Sequence, residues 1–206
     1  MQTTCYYKVL AVTLCDLWFL ASVLFELALL LLTAVRAMRR QWDSVRRSAR
    51  LAGGYLAVYA IVLIAVSLVM PRRFLAPGER RCFDDWCVTA LAAERNGHQW
   101  LAALEVSSVA KRVHQRARDA EVEMEDLDGR RYRPCGAPIG GRRMTGELAP
   151  GESFQVTEPF CLPRDAQPAG LVIRHGAFPG VLIIGDDQSF LHPPALARVN
   201  VSSASR

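Results

Sequence analysis

The chain lacks the short motifs that carry most hydrolytic, redox and nucleotide chemistry. It contains no CxxC, HExxH, GxSxG or glycine-rich phosphate loop. It has only four histidines, which show no ligand spacing and lie outside the two long apolar segments: His98, His114, His175 and His192. This placement excludes His-ligated haem or chlorophyll within those segments. We therefore expect a non-enzymatic protein without a cofactor.

Lysine is almost absent as well, since Lys8 and Lys111 are the only lysines among 25 Lys and Arg residues. The formal net charge is +5. Much of this excess lies in one arginine-rich segment between the apolar segments, where positive charge sets membrane topology and attracts anionic lipid. Nucleic acid is therefore not an expected partner.

Two apolar segments dominate the first third of the chain. Leu17 to Val35 contains a single charge, Glu26, and Leu51 to Met70 contains none. At a rise of ~1.5 Å per residue, each segment covers a hydrocarbon core of about 30 Å. The sequence therefore predicts a transmembrane helical hairpin over residues 17–70.

The loop at residues 36–50 predicts the orientation of this hairpin. Its one acid is Asp43, whereas the 16 residues before the first span carry one basic residue, Lys8. Cytoplasmic loops are enriched in Lys and Arg. Arginines that follow the second span, up to Arg81, favour the opposite orientation but are fewer. We expect a cytoplasmic loop in contact with lipid headgroups, with six arginines: Arg36, Arg39, Arg40, Arg46, Arg47 and Arg50.

Glu26 lies at the middle of the first span, where an ionised carboxylate needs a partner. In an antiparallel hairpin the Tyr59 hydroxyl falls at a similar depth, so we expect it to hydrogen-bond a neutral Glu26. A proton or quinone site, or a polar contact with a helix of another subunit, remains open. The second span also has a face of small residues that predicts close helix packing, with the first span as the expected partner: Gly53, Gly54, Ala57 and Ala60.

Four cysteines follow the second span, an even number that suits two disulfides in an oxidising compartment. They can pair in three ways. Cys82 can reach Cys87 only if Phe83 to Trp86 makes a turn, because an extended strand of this length is too long. We favour that turn, with Cys135 bonded to Cys161. The cysteines thus support an extracytoplasmic outer domain.

Short strands are predicted for this outer domain. Apolar residues recur at every second position in several segments, and Glu121, Glu123 and Glu125 alternate with them on a face that we expect to be solvated. Asp128-Gly129 is a strong hairpin signal. The spacing indicates about eight strands in an antiparallel sandwich, with other strands at 87–91, 100–106, 154–160, 171–175, 181–184 and 195–199.

One segment of the outer domain resembles a known family. The D-G hairpin, then Leu148-Ala-Pro-Gly-Glu, then a strand ending at Pro163 are similar to bacterial extracytoplasmic immunoglobulin-like modules. The resemblance covers about residues 82–199 and implies an immunoglobulin-like β-sandwich that binds rather than catalyses. In architecture, the whole chain also resembles a small accessory subunit of a bacterial photosynthetic reaction centre with its light-harvesting complex.

These observations predict a short extracytoplasmic N-terminus at 1–16, a hairpin at 17–70, a linker at 71–81, a sandwich at 82–200 and a flexible tail at 201–206. We expect a multi-pass protein of the bacterial inner membrane, with both termini and the sandwich in the periplasm. Its expected role is structural or in assembly of a larger membrane complex, photosynthetic or otherwise energy-transducing. The expected partners are other membrane-protein subunits and the lipid bilayer, without a tightly bound small molecule. A free-standing envelope sensor or ligand-binding module is the alternative.

Overall fold

The computed structural model describes residues 14–83, 85–140, 142–176 and 180–203. These residues form two compact units. The first contains the two helices and residues 180–193, and the second contains the β domain. The predicted fold class is confirmed: two long apolar helices are followed by a mostly antiparallel β-sandwich.

The helical unit is an antiparallel hairpin. Its helices, α1 (Leu14–Met38) and α2 (Trp42–Val69), are both long and apolar enough to cross a membrane. The turn between them is much shorter than the predicted loop of residues 36–50, because the arginine-rich segment continues the helices on either side. Arg40, at the turn, has a positive φ of 54°.

The two helices contact each other along one stripe of α2. The Ser22 and Tyr55 hydroxyl groups hydrogen-bond at 2.7 Å, and the Phe25 and Tyr55 rings pack with centroids 5.0 Å apart. Nearer the turn, the Arg36 guanidinium donates to the Ser48 hydroxyl. Polar pairs of this kind hold neighbouring helices in register within an apolar environment.

The described residues of the β domain form twelve strands, several of them only two residues long. They are β1 (Phe74–Leu75), β2 (Arg80–Phe83), β3 (Trp86–Asn96), β4 (Gln99–Ser108), β5 (Gln115–Arg116), β6 (Ala120–Asp126), β7 (Arg131–Tyr132), β8 (Glu147–Leu148), β9 (Ser153–Phe160), β10 (Pro168–His175), β11 (Leu196–Ala197) and β12 (Asn200–Ser203).

Two sheets enclose the core. One has the order β1-β11-β10-β6-β7; the other has the order β12-β3-β4-β9, with β2 also paired to β3. A small β5-β8 pair lies apart from both. The pairs are antiparallel except β1-β11 and β3-β12. Alternate residues of the long strands, such as Leu104, Met124, Phe160 and Ile173, are fully buried between the sheets.

Two predicted segment boundaries and one predicted strand differ from the structure. Residues 71–81 are not simply a linker, since β1 lies within them and β2 begins there. The end of the chain is not wholly a flexible tail, because β12 pairs with residues 92–95 of β3. Val181 to Ile184 is not a sandwich strand; a 3-10 helix, Gly180–Leu182, occupies part of it, and the segment belongs to the helical unit.

Candidate functional site

A cleft of about 280 Å³ opens at one edge of the sandwich, between β6 of one sheet and β9 of the other. The edge is open because β7 is short and pairs only with Met124 and Glu125 of β6. Among the described residues, no strand pairs with Ala120 to Glu123 on this side. The two sheets therefore leave a gap where a longer β7 would have closed the domain.

A non-strand segment borders the cleft beside β9. The Cys135 amide donates to the Pro159 carbonyl and the Ile139 amide donates to the Thr157 carbonyl, each at 2.9 Å. Proline lacks an N–H group and cannot donate to a neighbouring strand. Pro159 is therefore well placed in β9, which is an edge strand of its sheet. Three residues, 136–138, lie between these two contacts, opposite the single residue Glu158 of β9.

Glu158 lies at the base of this cleft. The strand alternation that buries Val156 and Phe160 turns Glu158 inward too, and the residue is only 6% exposed. Within the described part of the chain, its carboxylate has no hydrogen-bond or ion-pair partner. Burial raises the pKa of the Glu158 carboxyl, an effect that the positive charge of Arg143 only partly offsets.

The walls of the cleft combine apolar and charged groups. Five apolar side chains line it: Ala120, Val122, Pro134, Pro138 and Met144. Charged residues also line it, namely Glu121, Glu123, Arg133 and Arg143. The Glu123 carboxylate oxygens lie 3.6 Å from Arg133 Nε and 3.9 Å from an Arg174 guanidinium nitrogen, so these two arginines balance its charge. A cleft with apolar side chains in its walls and a carboxylate that has no partner among the described residues suits a ligand with a hydrocarbon body and a positively charged donor.

A second buried carboxylate, Glu125, has the opposite environment. It accepts hydrogen bonds from Arg72 and Arg131. Burial raises the pKa of this carboxyl, but the two guanidinium groups together outweigh burial and hold the pKa below its usual value. The prediction of a solvated Glu121, Glu123 and Glu125 row is therefore wrong at Glu125, because arginine side chains cover the outer face of β6 there.

Both favoured disulfides are present in the β domain. The sulfurs of Cys82 and Cys87 are 2.05 Å apart, and those of Cys135 and Cys161 are 2.11 Å apart. β2 and β3 form the hairpin that Cys82 and Cys87 require, although Asp84 in its turn lies outside the described residues. The Cys135–Cys161 bond ties the segment beside the cleft to the end of β9.

The expected hydrogen bond between Glu26 and Tyr59 is not formed. The Tyr59 hydroxyl donates instead to the Leu182 carbonyl at 2.6 Å. The register of the hairpin explains the difference, since Ser22 pairs with Tyr55 and the next turn of α1 places Glu26 nearer the hairpin turn than Tyr59. One Glu26 oxygen is buried without a hydrogen-bond partner.

The small-residue face of α2 does not pack against α1, contrary to the expected pairing. Gly53, Gly54, Ala57 and Ala60 are all exposed, and a methyl group added at either glycine would meet no atom within 4 Å. Ala52 is buried instead. Of the six arginines of the predicted loop, Arg36 lies in α1, Arg39 and Arg40 are at the turn, and Arg46, Arg47 and Arg50 lie in α2.

Glu158 was missed by the sequence-based search for functional residues. The sequence nevertheless contains a signal for it. Phe154, Val156 and Phe160 alternate along β9 and face inward, and Glu158 lies at a position of the same alternation. No motif marks a lone carboxylate of this kind. Among the described residues, no group of three His, Cys, Asp or Glu side chains is placed to hold a metal ion.

Comparison with known proteins does not assign the chain to a family. No protein-family model matches the chain, and no curated protein matches it. Three solved structures are similar at low identity. The secreted protein MPT63 of Mycobacterium tuberculosis has a TM-score of 0.42 at 12% identity, over 52% of this chain and 92% of that one.

The other two are an uncharacterised β-sandwich protein of Clostridium difficile 630 and the yjhA protein of Bacillus subtilis. The first has a TM-score of 0.38 at 14% identity, over 50% of this chain and 88% of that one. The second has a TM-score of 0.36 at 12% identity, over 49% of this chain and 79% of that one. Similarities this weak do not support any inference about function. The function must be argued from the side chains of this chain.

Proposed function

We propose that this chain is a non-enzymatic, membrane-anchored binding module. Its two helices anchor it in the bacterial inner membrane, and its sandwich lies in the periplasm. The cleft around Glu158 takes a ligand or partner segment that carries an alkylammonium group, such as a lysine side chain. This departs from the expectation of no small-molecule ligand, and it develops the alternative of a ligand-binding module.

The observation that carries this proposal is the carboxylate of Glu158, which borders the cleft and has no partner among the described residues. Its low exposure disfavours the charged form and raises the pKa of the carboxyl. A cationic donor in the cleft would stabilise the charged form. The volume of about 280 Å³ is just below the ~300–1,000 Å³ of clefts that hold drug-sized ligands. It therefore suits a group of side-chain size.

Binding of n-butylammonium to the full chain in lipid nanodiscs tests the proposal by ligand-observed NMR. A probe this small should bind with a Kd on the order of millimolar. Glu158→Gln should weaken binding about tenfold or more, because a charge-assisted hydrogen bond is lost. n-Butanol, which lacks the charge, should bind much more weakly than the ammonium.

Glu147→Gln is the matched control. Glu147 is exposed and lies outside the cleft, so this variant removes one carboxylate without touching the site. It should bind the ammonium as the unchanged protein does. Equal binding by the Glu158→Gln and unchanged proteins, or no binding by the unchanged protein, would count against the cleft.

The proposed location is supported by three features. The two apolar helices are long enough to cross a bilayer, and six arginines cluster at and beside the turn that joins them. Two disulfides lie in the β domain. Because such bonds persist in oxidising compartments, they favour a periplasmic sandwich.

A second candidate function is a structural or assembly subunit of a larger membrane complex. The exposed Gly53, Gly54 and Ala57 face of α2 favours it, because small residues allow another helix to approach closely. Purification in mild detergent followed by mass spectrometry should then recover stoichiometric membrane-protein partners. Pigment or haem proteins among them would support the photosynthetic or other energy-transducing complex, whereas a purified monomer would contradict this candidate.

A further inference from the structure

Residues 180–193 form an irregular segment that belongs to the helical unit rather than to the sandwich. The segment begins with the 3-10 helix and continues through turns. It is rich in large apolar side chains, among them Leu182, Phe190 and Leu191. A surface loop would ordinarily be polar, so this composition requires an explanation.

The segment is bonded to α2 at two levels. The Tyr59 hydroxyl donates to the Leu182 carbonyl at 2.6 Å, and His192 Nδ1 lies 3.2 Å from the Ser67 carbonyl. The carbonyls in the last turn of a helix lack helical partners, so the His192 ring caps α2 in the tautomer that carries its hydrogen on Nδ1. Tyr59 is eight residues before Ser67, or ~12 Å along the helix axis. Leu182 is therefore held beside the apolar stretch of α2, well short of the helix end.

Several backbone groups of the segment form hydrogen bonds within the segment itself. The Phe190 amide donates to the Val181 carbonyl at 2.9 Å, and the Ser189 hydroxyl donates to the Ile183 carbonyl. The His192 amide donates to the Ser189 carbonyl at 2.9 Å. Lipid-exposed irregular backbone does not occur within the hydrocarbon core, because unpaired backbone groups are costly there. The hydrogen bonds of this segment therefore suit it to the boundary between lipid headgroups and acyl chains.

Its apolar side chains, in contrast, point away from the protein. Leu182, Phe190 and Leu191 are 41%, 49% and 55% exposed. The hydrogen bond from the Phe190 amide to the Val181 carbonyl brings the two apolar stretches of the segment together. The three exposed side chains are called the apolar patch. Because the segment is bonded to α2, the patch lies beside a helix proposed to cross the membrane.

We propose that residues 180–193 insert into the outer leaflet beside α2, with Leu182, Phe190 and Leu191 in contact with lipid acyl chains. This inference rests on the membrane anchoring in the proposed function. Asp186 and Asp187 limit the depth, because carboxylates avoid hydrocarbon. Their turn lies at headgroup level while the apolar patch lies below it. The segment is a second attachment to the membrane, made by the chain between β10 and β11.

Spin labels on the full chain in phosphatidylcholine nanodiscs test this insertion. Among the described residues no cysteine is free, so a nitroxide attaches at Leu182→Cys or Leu191→Cys in the otherwise unchanged, non-reduced chain. Both replaced residues are exposed, so the labels should leave the fold intact. We expect relaxation by oxygen, which concentrates in hydrocarbon, to exceed relaxation by a water-soluble nickel chelate severalfold.

Two further labels separate the possible failures. Val62→Cys, on an exposed position of α2, should behave like the segment, and Val109→Cys, on the β domain, should report water. Nickel access at Leu182 and Leu191 with Val62 protected would overturn the insertion alone. Immobile labels shielded from both reagents would overturn it in favour of a protein partner. Nickel access at Val62 would overturn the membrane anchor itself and this inference with it.

Discussion

Two buried carboxylates of the β domain differ in what surrounds them. Arg72 and Arg131 bond the Glu125 carboxylate, which keeps it charged. Glu158 has only the more distant charge of Arg143 to oppose its burial, and the pKa of its carboxyl rises. The arginines therefore stabilise the charged form of Glu125, whereas the surroundings of Glu158 disfavour its charged form.

Glu125→Gln should destabilise the protein at pH 7 by about 2–3 kcal/mol, since it removes the charge that pairs with both arginines. Arg72 and Arg131 are partly exposed, so the loss of stability should be smaller than the largest losses seen when a fully buried ion pair is broken. The pKa of Glu125 is lower in the folded protein than in the unfolded chain, where it is near 4.5. The ion pair therefore stabilises the folded protein fully above pH 4.5. This stabilisation is lost as the pH falls through the folded-state pKa.

Denaturant unfolding of the full chain in detergent, at pH 7 and pH 3, measures this effect. The deficit of Glu125→Gln should shrink at pH 3 as the unchanged protein loses the same charge. Glu147→Gln, which breaks an exposed contact with His114, should change stability by less than about 0.5 kcal/mol. A Glu125→Gln variant as stable as the unchanged protein at pH 7 would refute the ion-pair account.

At the scale of elements, local patterns predicted the longer strands. β4 and β6 show alternation, β3 begins with an apolar run, and the β6–β7 hairpin forms at the Asp128-Gly129 signal. β12 was missed because it pairs with β3, more than a hundred residues earlier in the chain. Neither its length nor its composition distinguishes it from a tail. Pairing between distant segments is set by the whole fold and leaves little local trace.

The apolar run at Val181 to Ile184 shows a different limit. A short apolar run between glycines fits a buried strand, but periodicity cannot tell which surface buries it. Here the run lies against α2 rather than within a sheet. The same limit applies to the candidate site, since alternation places Glu158 inward but does not reveal that β7 is too short to cover it. The open edge, and with it the cleft, is a property of the assembled sheets.

At the scale of the whole molecule, the side of the membrane on which the sandwich lies determines what can reach the cleft. A periplasmic cleft meets envelope proteins and secreted ligands, and its disulfides persist there. The arginines predict this side through the positive-inside rule. The turn between α1 and α2 contains Arg39 and Arg40, and Arg36, Arg46 and Arg47 lie within two helical turns of it.

Reporter fusions test this orientation directly. A phosphatase that is active only outside the cytoplasm should be active when fused after Arg206 and inactive when fused after Arg40, at the hairpin turn. A reporter that fluoresces only in the cytoplasm should give the reverse pattern at the same two sites, which controls for failed expression. Phosphatase activity from the Arg40 fusion alone would invert the topology. The cleft and residues 180–193 would then face the cytoplasm, where neither a periplasmic ligand nor the outer leaflet could reach them.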